Sequence, residues 1–118
     1  MLNSVNIIGR IITELKPKTT TAGNPRLKFR IACDRDYVKP GEERKTDIFT
    51  VVAYNNDVNF IVNNFDKGAM IGISGVLETY VHTGQDGKPF ASVYIKTEKA
   101  SFTGERREKE PSLFDNRY

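Results

Sequence analysis

The sequence is short of the residues that most chemistry needs. It holds one cysteine, Cys33, and one histidine, His82. A single thiol forms no internal disulfide, and one Cys with one His cannot complete a protein zinc site. The expected setting is therefore reducing and cytoplasmic. No apolar run approaches a membrane span of roughly 20 residues. The opening Met1-Leu2-Asn3-Ser4-Val5 lacks the basic head and long apolar stretch of a secretory leader, so none is predicted. Neither a glycine-rich phosphate loop, a Ser-His-Asp set nor a metal-ligand cluster is present. Asp47, Asp57, Asp66 and Glu78 are scattered, without the spacing of an acid–base pair. The sequence predicts no enzyme, no cofactor and no metal.

What is there fits one domain. The chain has 118 residues, 38% hydrophobic and 28% charged, an ordinary globular mix. Net charge is only +3, but it is unevenly placed. Residues 1–46 hold ten Lys/Arg against five Asp/Glu, and residues 47–102 hold four against six. A basic first third suggests an anionic partner.

Periodicity places the elements. Residues 3–15 read as a long strand with a kink or bulge at Gly9, and 17–25 as a loop. Over 26–34, Leu27, Phe29, Ile31 and Cys33 alternate with Arg26, Lys28, Arg30 and Ala32. That period of two marks a half-buried strand whose outer face carries three cations, each about 7 Å from the next. Residues 47–54 form a third strand. Val58, Ile61, Val62 and Phe65 make one apolar helical stripe, with Asn55 or Asn56 as cap and Gly68 as stop. Residues 69–82 and 89–102, joined by Gln85-Asp86-Gly87, form a long hairpin with Val93 and Ile95 inward. The expectation is a mainly β chain: a five-stranded OB-fold barrel, one helix between strands three and four, and a long hairpin of strands four and five. Residues 1–102 would form the domain and 103–118 a short disordered polar tail.

The informative constellation is aromatic plus basic. Alternation puts Ile48, Thr50, Val52 and Tyr54 on the outer face of the third strand, with Phe49 inward. It puts Glu78, Tyr80 and His82 on one face of the fourth, opposite Leu77, Thr79 and Val81. Tyr37 follows the basic strand. Tyr37, Tyr54, Tyr80 and His82 are expected to share a surface with Lys28, Arg30 and Arg35. Flat rings between cations suit single-stranded nucleic acid, because bases stack on rings while cations hold phosphates.

The order of these pieces resembles bacterial single-stranded DNA-binding proteins. The likeness lies in Met1-Leu2-Asn3-Ser4-Val5-Asn6-Ile7-Ile8-Gly9-Arg10, in Thr46-Asp47-Ile48-Phe49-Thr50-Val51-Val52-Ala53-Tyr54, in Asp66-Lys67-Gly68, in Gly72-Ile73-Ser74-Gly75-Val76-Leu77 and in Gln85-Asp86-Gly87. The resemblance implies an OB-fold homotetramer that coats single-stranded DNA without sequence preference, in replication, recombination or repair. It carries the family's stacking positions onto Tyr37, Tyr54, His82 and Ile48, the last being no ring, and its phosphate contacts onto Lys18 and Lys67. Two family arginines on the fourth strand appear here as Glu78 and Tyr80. Residues 110–118 do not read as the family's acidic tip. Either that tip is lost or Leu113-Phe114 is a private docking motif for replication or repair proteins.

Two competing readings remain open. One is a primosome- or restart-type OB-fold accessory protein, a dimer that docks another replication protein. The other is an RNA-binding OB domain, since stacking tolerates either sugar.

Overall fold

Apolar and charged residues alternate along a ten-residue strand, Pro25–Asp34, in a computed structural model that describes residues 1–105. This strand is β3. The others are β1 (Val5–Ile11), β2 (Lys18–Thr19), β4 (Thr46–Tyr54), β5 (Met70–Thr83) and β6 (Pro89–Ser101), with helix α1 (Asn56–Asn64) after β4. Leu27, Phe29 and Ile31 point into the core, while Lys28 and Arg30 are exposed.

Five strands close a ring in the order β1-β5-β6-β4-β3 and back to β1. β1 closes it by changing partner: Val5 to Arg10 pair with β5, then Arg10 and Ile11 pair with β3. Every pairing is antiparallel except β4 with β6, which runs parallel through Val51–Ile95 and Val52–Lys96. This is the expected OB-fold barrel, with its helix between the third and fourth barrel strands. Inside it Ile11, Leu27, Phe29, Ile31, Val51, Ile71, Ile73 and Ile95 are buried together. α1 packs on β3, β4 and β6 and adds Val58 and Ile61 to that cluster.

The structure corrects several details. The first strand is shorter than 3–15, and its register with β5 runs unbroken through Gly9. Gly9 serves close approach instead: a Cβ there would stand 2.7 Å from the Cys33 Sγ. The bulge lies between Ser74 and Gly75, where Glu98 of β6 is the extra residue. A Gly75 Cβ would overlap the Lys96 carbonyl. The expected loop contains β2, a two-residue strand paired with β3. Phe65 lies just past α1 in extended conformation, and Asn55 makes no side-chain capping bond. Its backbone carbonyl accepts from the Val58 N–H, and its own N–H donates to the Pro25 carbonyl.

Beyond Gly75, β5 pairs with β6 alone, and β6 before Ile95 pairs with β5 alone. Residues 77–83 and 89–94 are therefore a two-stranded ribbon leaving the barrel. Val93, expected inward, is 59% exposed for this reason, and Leu77 and Val81 on the same face are exposed too. Contacts also reach the last described residues. Phe102 stacks on Phe65 with centroids 5.2 Å apart, and Arg10 forms an ion pair with Glu105. Leu113 and Phe114 lie outside the described residues.

Candidate nucleic-acid interface

Cross-strand register arranges the outer face in rows. Lys18 pairs with Arg26, and Arg26 with Tyr54. The next row is Lys28, Val52, Lys96 and Val76. Arg30 pairs with Thr50, and Ala32 with Ile48. Val52 shares the outer face but is only 1% exposed, because it sits between Lys28 and Lys96. Long aliphatic stems cover such a position while their charges stay in water.

The ribbon carries the rings. On one of its faces Glu78 opposes Tyr94, Tyr80 opposes Ser92, and His82 opposes Phe90. Tyr80 meets His82 at 4.0 Å and Tyr94 at 5.5 Å, both edge-on. His82 stacks on Phe90 at 5.0 Å. The Tyr94 hydroxyl donates to Glu78 Oε1 at 3.4 Å. Burial pushes the Tyr94 phenol above its usual range, and the charge of Glu78 and the presence of Tyr54 push the same way. Arg26 opposes them, so Tyr94 lies within electrostatic reach of both Tyr54 and Arg26. The result is a strip of rings, Phe90, His82, Tyr80 and Tyr94, leading toward Tyr54 and the row Arg26–Lys18.

Of the residues singled out from sequence, Tyr54, Tyr80, His82, Lys18, Lys28 and Arg30 fall on this face. Ile48 is on it too, exposed beside Ala32. Tyr37 is 74% exposed in the loop between β3 and β4. Arg35 is engaged: its guanidinium forks onto Asp47, Nε to Oδ2 at 2.9 Å and an Nη to Oδ1 at 3.1 Å. That hydrogen-bonded pair holds the Asp47 carboxyl below its ordinary range and raises the guanidinium. Lys67 stands 4.0 Å from Glu14, at the end of α1 farther from Tyr54.

Sequence reasoning did not single out Tyr94, Phe90 or Lys96 for this face, and it read Arg26 only as one of three outward cations. The signal was available: if Val93 and Ile95 face one way, then Phe90, Tyr94 and Lys96 face the other. Among the described residues no group of three His, Cys, Asp or Glu could hold a metal, and no helix is long and apolar enough to cross a membrane.

Comparisons with known proteins bear on the family and the fold. A model of the Single-strand binding protein family matches residues 2–103. A single-stranded DNA-binding protein of Bacillus cereus is 28% identical over 102 residues, covering 86% of this chain and 60% of that protein. Single-stranded DNA-binding protein 2 of Listeria monocytogenes is 25% identical along the whole of this chain, which covers 74% of it. The chain spans 57% of a similar protein of Oceanobacillus iheyensis. Among solved structures, one described as Plasmodium falciparum SSB complex with ssDNA superimposes with a TM-score of 0.73 at 26% identity. The match covers 86% of this chain and 92% of that one. With a barrel, an outer aromatic–basic face and a family match across nearly all its described residues, the chain belongs to the single-strand binding protein family.

Proposed function

We propose that this chain binds single-stranded DNA and shields it, in the cytoplasm, during replication, recombination or repair, without catalysing a reaction. The observation that carries the reading is the continuous strip from Phe90 to Tyr94, joined to the cationic rows around Tyr54. Rings of this kind stack on any base, and cations beside them track phosphates, so the path tolerates sequence. A duplex hides the base faces that such rings need. The names of the relatives support the same partner.

The experiment is a titration with oligo-dT at low and high salt, following tyrosine fluorescence, with duplex DNA as control. Quenching by oligo-dT alone, weakening with salt, is expected. Equal response to duplex would show that the rings are not stacking on bases. Tyr94→Ala should weaken binding by about tenfold, near the low end of the 1–3 kcal/mol per stacked base. Tyr54→Ala should act in the same direction.

Assembly as a homotetramer belongs to this reading. The exposed Ile8 and Phe102, with Ile7 and Ile73, line a cavity of about 430 Å³, apolar area suited to a second copy. The competing accessory-protein reading draws on Ile48, an exposed apolar side chain where stacking asks for a ring. It expects a dimer with weak DNA affinity, so a solution mass near four chains argues against it.

A further inference from the structure

We infer that Glu78 reads one base, favouring a base with an exocyclic amine over thymine at a single point on the path. The inference rests on the single-strand reading above. Glu78 is the one acidic side chain on the ring face of the ribbon, directly opposite Tyr94 and next on that face to Tyr80. It is half-buried among them. Among the described residues no cation comes within ion-pair distance of it, and its one hydrogen bond is the 3.4 Å contact from the Tyr94 hydroxyl. A carboxylate accepts and never donates while ionised. A base stacked on Tyr80 or Tyr94 would bring its edge beside this carboxylate, which keeps acceptor capacity beyond the one Tyr94 contact.

Base chemistry then decides the sign. Cytosine offers its N4 amine, adenine its N6 amine, and guanine N1–H with N2 amine, all donors to a carboxylate. Thymine offers one imide N–H flanked by two carbonyls, which repel the charge. A strip that otherwise tolerates any base thus acquires one discriminating position. The carboxylate also repels phosphate, which orients the strand with bases toward Glu78 and backbone toward Lys28, Arg26 and Lys96.

The test measures oligo-dC and oligo-dT of equal length on the full chain, at slightly alkaline pH so that cytosine stays neutral. Wild type, Glu78→Gln and Tyr94→Phe are compared, each checked for a wild-type unfolding transition. A glutamine amide turns either its oxygen or its amine to the base, so it serves both oligonucleotides. The expected result is a dC-to-dT affinity ratio about tenfold higher in wild type than in Glu78→Gln, the size of one charge-assisted hydrogen bond. Tyr94→Phe keeps ring and carboxylate and should keep the ratio. Equal gains for both oligonucleotides in Glu78→Gln would make the carboxylate merely repulsive and overturn the inference. Loss of the ratio in Tyr94→Phe would assign the reading to the phenol and overturn it likewise. If wild type binds neither oligonucleotide, the single-strand reading itself fails. Binding of both at one unchanged ratio in all three proteins sinks the base-reading role alone.

Discussion

Asp47 shows how a single pairing changes what a residue is for. Its carboxylate receives the Arg35 fork, and it faces Cys33 across the β3–β4 pair. The folded carboxyl lies below its ordinary value, so its contribution is present above the unfolded pKa of about 3.9 and is lost as pH falls through the folded value. The thermal midpoint of Asp47→Asn should therefore lie below wild type by a constant margin near neutrality, and the margin should shrink below about pH 4. A margin that persists unchanged into acid would deny the pair its role. Burial, then Asp47 and Asp34, push the Cys33 thiol up. The half-buried thiol is accordingly a poor nucleophile at neutral pH. Asn55 shows a different tension. It holds φ 56° and ψ −123°, a conformation that glycine adopts freely, with no side-chain capping bond to compensate. Asn55→Gly should raise stability by about 1 kcal/mol, read as a higher melting midpoint.

Among the elements, the β5–β6 hairpin has the narrowest tolerance where it leaves the barrel. At the bulge Gly75 lies so close to β6 that a methyl would meet the Lys96 carbonyl, which is backbone and cannot step aside. Gly75→Ala should cost about 3 kcal/mol or more, seen as a lower denaturant midpoint, whereas Gly87→Ala at the hairpin tip meets no atoms and pays only for its φ of 79°. Much of this element plan was legible in the chain. Period-two alternation over 26–34 and the Val58, Ile61 stripe both describe surfaces that must be half buried, and such surfaces carry their own signature. The ring face of β6 was legible by the same rule. β2 was not, because two residues have no period. The Arg35–Asp47 pair was hidden as well, since strand register, and not sequence spacing, brings the two together. Val52 betrayed the alternation rule because lysines on neighbouring strands flank it.

At the scale of the molecule, the cations form a field. Lys18, Arg26, Lys28, Arg30 and Lys96 occupy consecutive rows of one face. If all five contact phosphate, the log–log slope of affinity against salt for one chain should be about −3.5, from 0.7 per contact on a single strand. Charge-removing substitutions in this set should each flatten the slope by about 0.7, whereas Tyr94→Ala should lower affinity at every salt and leave the slope alone. The barrel itself closes on a narrow seam. Only Val51–Ile95 and Val52–Lys96 join β4 to β6, while β1 must find β5 across most of the domain. Pairings so distant along the chain wait for slow loop closure, so local hairpins form first and the ring is sealed last. A nascent chain would thus pass through an open sheet with two raw edges, and since the β1–β5 partners are the farthest apart along the chain, those edges of β1 and β5 are where a neighbouring chain would be grafted on by mistake.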